Sequence, residues 1–209
     1  MIPYITPFAI YIALSLLGSY FDSGAYWLYP VKTLAVAAAL WYFRESYPEL
    51  RTRLRPVALL TAVATGLLVF VVWIAPEGLY PHLGESRFNP FIFQNSYISV
   101  TLVVFRLIGA VLVVPVFEEL FWRSFLLRWV SNPDFKKVEL GKFTWLSFAV
   151  VTLFFGFEHN RWLVGLAAGA VYNLLLYRHK NLWSCIAAHA VTNLVLGVYV
   201  LQTQQWGFW

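Results

Sequence analysis

The polar and apolar positions of this chain fall into long apolar blocks separated by short polar ones. Seven apolar segments can be drawn, at roughly residues 3–21, 26–43, 56–75, 98–130, 143–160, 161–178 and 181–202. Most are long enough, as helices, to cross a hydrocarbon layer about 30 Å thick. Strand-length alternation of the kind that marks a membrane β-barrel is not apparent. The pattern predicts an all-α, polytopic membrane protein with seven transmembrane helices, or eight if segment 98–130 breaks at Pro115. The first segment lacks a basic leader and a small-residue cleavage site, so it reads as the first membrane helix.

Charge weighs the two counts. With one crossing in 98–130, the loops 44–55 and 131–142 and the turn 178–180 share a side. That side then holds Arg44, Arg51, Arg53, Arg55, Arg128, Lys136, Lys137, Lys142, Arg178 and Lys180. The other side keeps little beyond Arg87 and Arg161. The positive-inside bias therefore favours one crossing, with the N-terminus cytoplasmic and the C-terminus outside. Domain organisation reads as one transmembrane unit, with three N-terminal helices in 1–75 and a helical core in 98–202.

Composition agrees. Hydrophobic residues make up 60% of the 209 and charged ones only 12%, about half the share of a soluble domain. The net charge of +5 sits in short loops, which fits lipid headgroups rather than nucleic acid. One cysteine, Cys185, excludes an intrachain disulfide and reads as a packing residue. The loop 76–97 reads as an interfacial cap anchored by Tyr80, Phe88, Phe91 and Phe93, with His82 solvated. The final QQWGFW reads as an aromatic anchor, and Gly165 with Gly169 as a site of close helix packing within the chain.

Against this background a few polar residues stand out. A charge at bilayer depth costs about 2.5–3.5 kcal/mol even on lenient scales, so such residues usually serve a purpose. Glu119 and Arg123 are four apart and share a helix face, where they can pair as an internal strut. Glu118 lies about 100° round the helix and shares that arginine less easily. A carboxylate without a cation can exchange protons as a general base or acid. His159 closes an apolar segment, four residues after Phe155, and is also readable as a cap. Glu158 and Arg161 beside it read as interfacial charges. His189 and Asn193, four apart, share a face and are also readable as an interhelical hydrogen-bonding pair. Placed in one layer, a carboxylate and an imidazole can deprotonate a water. A second imidazole and a carboxamide can stabilise an oxyanion.

The ordered set EExxxR (Glu118, Glu119, Arg123), FxxxH (Phe155, His159) and HxxxN (His189, Asn193) resembles the CPBP intramembrane protease family. That family includes CAAX prenyl endopeptidases of the Rce1 type and bacterial Abi proteins; an exosortase-associated branch is one home for so small a chain. The resemblance covers about residues 98–202. It implies an intramembrane endopeptidase that cuts near the C-terminus of a membrane-associated protein or peptide, in a bacterial plasma membrane. It implies that Glu118 and His159 activate water, that His189 and Asn193 hold the oxyanion, and that Glu119 and Arg123 support the site. It implies no metal and no other cofactor. Ser124 departs from the glycine the family often has after the arginine, and a further C-terminal helix is not seen. Two other readings stay open. One is a zinc-dependent hydrolase using the same glutamates and histidines, although no HExxH helix supports it. The other is a non-catalytic scaffold or immunity-type protein that binds a membrane peptide. Oligomeric state is left open.

Overall fold

A computed structural model describes residues 1–84 and 88–209. It contains seven principal helices: α1 (Ile2–Ser19), α2 (Gly24–Tyr42), α3 (Pro56–Ile74), α4 (Ser96–Trp129), α5 (Trp145–Phe157), α6 (Trp162–His179) and α7 (Leu182–Thr203). No strand occurs among the described residues. Helices α1, α3, α4 and α7 are long and apolar enough to cross a membrane. Helix α5 is shorter than its apolar segment; 13 residues rise about 20 Å, less than a full crossing.

The helix starts follow local chemistry. Asn95 caps α4 by accepting from the Tyr97 and Ile98 amides, Thr144 caps α5 through Ser147 N–H, and Asn181 caps α7 through Trp183 N–H. Prolines open α1 and α3, where a missing N–H does no harm.

Segment 98–130 forms one continuous helix rather than two. Pro115 does not break it, because the preceding turn, Gly109–Val113, is wound as a π-helix. There the Val114 amide reaches back five residues to the Gly109 carbonyl. In that register Pro115 would face the carbonyl of Ala110, and it has no N–H to give. Asn193 supplies the missing donor from α7, with Nδ2 2.7 Å from the Ala110 oxygen. A second π stretch covers Leu120–Leu126. Between the two lies the short piece Val114–Glu119 that carries both glutamates. Such bulges recur at functional sites because they re-aim side chains.

Helices α1 and α2 pack as a pair, as do α5 and α6, while α3 lies against α7. Small residues permit the closest approaches. A Cβ on Gly66 of α3 would strike the Ala188 carbonyl of α7. The Gly165 and Gly156 backbones of α6 and α5 touch, so this GxxxG face is used inside the chain. Leu16, Leu60, Leu68, Leu112 and Phe154 point outward and are exposed, the inside-out arrangement of a lipid-facing surface.

The three basic loops gather at one end of the bundle. Asn181 bonds to the Arg53 carbonyl, Trp183 Nε1 to the Leu50 carbonyl, and Lys180 lies 3.6 Å from Glu139. Arg128, read from the sequence as a loop charge, is instead buried here. It pairs with Glu49, whose carboxylate also takes the Ser124 hydroxyl at 2.8 Å and the Tyr4 hydroxyl at 3.0 Å. Ser124 thus adds a hydrogen bond where a glycine would add none.

The opposite end is closed by Arg161. It is buried rather than interfacial, and forms a two-pronged ion pair with Glu77 at 2.6 and 2.8 Å. The same guanidinium donates to the Gly207 carbonyl at 2.6 Å and stacks 4.0 Å from the Phe208 ring centre. These bonds hold the Glu77 carboxyl below its ordinary range. The tail therefore folds inward, and Trp209 is buried rather than anchored at an interface. His82 is half-buried near Glu77 rather than solvated, and Phe88 is buried against Tyr26 and Tyr29. Arg87, counted from the sequence among the charges of this side, lies outside the described residues.

Candidate functional site

One cavity of about 180 Å³ is lined by Glu118, His159, His189 and Asn193. Four polar residues from three separate apolar segments thus meet. The N-terminal helices contribute walls too, through Tyr11, Tyr29, Val69 and Trp73. A neighbouring space of about 320 Å³ runs from Glu118 past Glu158 to Asn160, Arg161 and Gly207, at the end of the bundle away from the basic loops.

Glu118 and Glu119 are adjacent and both buried, yet their surroundings differ. Glu119 Oε1 lies 3.2 Å from Arg123 Nη1 and 3.0 Å from His189 Nδ1. Arg123 in turn sits 4.1 Å from the Phe155 ring centre and 5.3 Å from that of Tyr172. Tyr172 also stacks on His189, 5.4 Å between ring centres. Glu119 is therefore the hub that aims His189. Glu118 pairs with no cation among the described residues, and its Oε2 is buried without a hydrogen-bond partner. Glu119 Oε2 likewise has no hydrogen-bond partner, so what sets Glu118 apart is that it lines the cavity and has no ion pair among the described residues.

Both histidines are oriented by their Nδ1 atoms. His159 follows the last turn of α5, where backbone carbonyls lose their helical partners. Its Nδ1 lies 2.8 Å from the Phe155 carbonyl. A carbonyl only accepts, so Nδ1 carries the proton and the neutral ring is left with a lone pair on Nε2. The same argument puts a proton on Nδ1 of His189, against Glu119. Asn193 commits one N–H to Ala110 and keeps a second, because a carboxamide nitrogen has two.

Three groups escaped the sequence reading. Glu158, taken for an interfacial charge, accepts from Trp122 Nε1 at 3.1 Å and faces the same space as Glu118. Arg106 lines this cavity and two others, and Lys32 lines an adjoining one. The signal for these two was present: each is a lone cation inside an apolar segment, the criterion that singled out Glu118. Among the described residues no three His, Cys, Asp or Glu side chains converge closely enough to hold a metal ion. That geometry gives the zinc reading no support.

Comparison with known proteins agrees with the motif reading. Residues 99–195 match the family model described as type II CAAX prenyl endopeptidase Rce1-like. No curated protein and no solved structure matches the chain. The matched stretch contains Glu118, Glu119, Arg123, His159, His189 and Asn193. Over residues 99–195 the chain is thus similar to the Rce1-like CAAX prenyl endopeptidases that its motifs resemble, and its long apolar helices mark it as a membrane protein.

Proposed function

We propose that the protein is a glutamate-dependent intramembrane endopeptidase that cuts a membrane-associated protein or peptide near its C-terminus. The observation that carries this reading is the unpartnered carboxylate of Glu118 in a cavity shared with His159, His189 and Asn193.

The reaction follows from the donors available. Glu118, with the lone pair on His159 Nε2, removes a proton from a water in the cavity. The hydroxide attacks the scissile carbonyl. His189 Nε2 and the second amide proton of Asn193 donate to the oxyanion, as preorganised donors do in other acyl transfers. For this His189 must carry both ring protons, with the Glu119 carboxylate as its counter-charge. When the C–N bond breaks, Glu118 returns its proton to the leaving amine. Arg123 stays paired with Glu119 and takes no part in proton transfer.

Orientation bears on substrate access. The positive-inside bias puts the basic loops on the cytoplasmic side. The space beyond Glu118 runs toward the opposite end, past Asn160 and Gly207. Substrate therefore enters laterally or from the non-cytoplasmic face, as suits a protein that processes exported chains in a bacterial plasma membrane.

The test is a comparison of membrane proteins from cells producing the wild-type or the Glu118→Gln protein. C-terminal neo-termini present with the first and absent with the second are expected. Identical neo-termini in both would rule the reading out.

A further inference from the structure

The proposed reaction asks His189 to hold Nε2 at one place in the cavity, and the side chain alone does not ensure this. The last torsion of a histidine is broad. The 3.0 Å contact of Nδ1 with Glu119 Oε1 fixes one point of the ring and leaves its plane free to swing. A second contact sets the plane. The Tyr172 ring of α6 stacks on the imidazole, with 5.4 Å between centres and 23° between planes. Phe155 of α5 adds a perpendicular contact at 6.4 Å and 79°.

Tyr172 is itself held firmly. It is buried, and its hydroxyl lies 2.8 Å from Thr192 Oγ1. Thr192 Oγ1 lies 2.9 Å from the Gly66 carbonyl and 3.0 Å from that of Ala188. Carbonyls only accept, so Thr192 gives its one proton to them and Tyr172 donates to Thr192. Thr192 stands three residues after His189 and shares its face of α7. The close approach of α3 to α7 at Gly66 brings that carbonyl within reach. On the backbone side, the Cys185 thiol reaches the Tyr172 carbonyl at 3.4 Å. The Tyr172 ring centre also lies 5.3 Å from Arg123 Cζ. One ring thus borders both groups that Glu119 holds. A ring face attracts cations, so it suits an imidazole that carries both protons in the reaction.

We infer that Tyr172 is a positioning residue of the reaction: its ring fixes the plane of His189 and so aims Nε2 at the oxyanion. The hydroxyl anchors the ring, and the ring does the aiming. None of the three motifs EExxxR, FxxxH and HxxxN contains this residue. An aliphatic side chain of similar size would fill the space but present no flat face, and the imidazole would sample several planes. Misplacing a group in an active site by about 1 Å costs up to about 10²-fold in rate. The inference rests on the proposed endopeptidase activity and adds to it the group that orients an oxyanion donor.

The test compares purified wild-type, Tyr172→Phe and Tyr172→Leu proteins in liposomes on an internally quenched, prenylated CAAX peptide. Tyr172→Leu is expected to lower kcat by about 10–10²-fold with KM little changed. Tyr172→Phe keeps the ring and should keep most of the activity. Unfolding midpoints on the same samples separate lost aim from lost folding, and Tyr172→Met serves if Tyr172→Leu does not fold. A second readout needs no turnover. In protein carrying isotope-labelled histidine, the His189 ring signals are identified by their loss in His189→Gln. The stacked ring should hold them upfield in the wild type and in Tyr172→Phe, and Tyr172→Leu should release them. Signals unmoved in Tyr172→Leu, or kcat unchanged, would overturn the inference. So would a fall in Tyr172→Phe as deep as in Tyr172→Leu, which would assign the role to the hydroxyl. A rise in KM alone would also overturn it and make Tyr172 a wall of the substrate space. No cleavage by the wild type would count against the endopeptidase reading, while the histidine signals would still decide whether Tyr172 sets the ring, so the two fail separately.

Discussion

Glu49 and Glu118 are both buried carboxylates of this bundle, and their surroundings are opposites. Glu49, at the basic end, receives Arg128, Ser124 and Tyr4. Glu118, in the interior, has an oxygen with no partner at all. The first carboxylate is neutralised by its neighbours and ties the 44–51 loop to α1 and α4. The second is left open toward a cavity. Burial alone therefore says little about the role of a charged side chain; the state of its hydrogen bonds says much more. Glu119 shows the contrast within one dipeptide, since it holds Arg123 and His189 while its neighbour holds nothing.

Breaking the satisfied cluster should have the largest energetic effect. Glu49→Gln leaves Arg128 buried without its counter-charge, which costs about 3–5 kcal/mol of stability. Denaturant or thermal unfolding in detergent would show it, while the turnover of the protein that remains folded should change little. The oxyanion side should respond in the opposite sense. Asn193→Ala is expected to lower kcat by about 10²–10³-fold for one lost donor. Loss of the Ala110 hydrogen bond should cost only about 1 kcal/mol of stability. A fall in stability with kcat intact would make Asn193 a purely structural partner of the Pro115 turn. Ser124→Ala removes one hydrogen bond to Glu49 and one from Arg128 but no charge, so about 1–3 kcal/mol is expected, with no change in kcat.

The smallest effect concerns pH at the Arg161 clasp. The Glu77 carboxyl is held below its ordinary value of 4.5 by Arg161. Its contribution is thus fully present above that value and is lost as pH falls through the folded-state value. The hydrogen-exchange protection of residues 204–209, taken relative to the intrinsic rate at each pH, should be unchanged from pH 8 to 6 and should fall only in acid below 4.5. Loosening already at pH 6 would mean that another group controls the clasp.

Much of this arrangement was legible in the sequence, and the reason is physical. Apolar runs declare membrane helices whatever their neighbours, so the seven segments correspond to seven helices. Polar residues are rare enough there that Glu118, His159, His189 and Asn193 stood out, and all four line one cavity. Partnerships across the chain were not legible. Arg128 reads as a loop charge until Glu49, 79 residues away, is seen beside it. Arg161 reads as interfacial until Glu77 and Gly207 are placed against it. The extent of α5 was overestimated because the apolar run continues into the turn that carries His159. The continuity of α4 depended on whether Pro115 breaks a helix, and that is decided by a π turn and a side chain from α7.

The central claim is that Glu118 performs chemistry and does not hold the fold together. Its most direct measurement is cleavage of a membrane peptide by purified Glu118→Gln protein in liposomes, with the unfolding midpoint recorded on the same sample. Cleavage should disappear while the midpoint stays level or rises, because the substitution removes a buried carboxyl that holds no ion pair among the described residues. Cleavage at the wild-type rate would contradict the account.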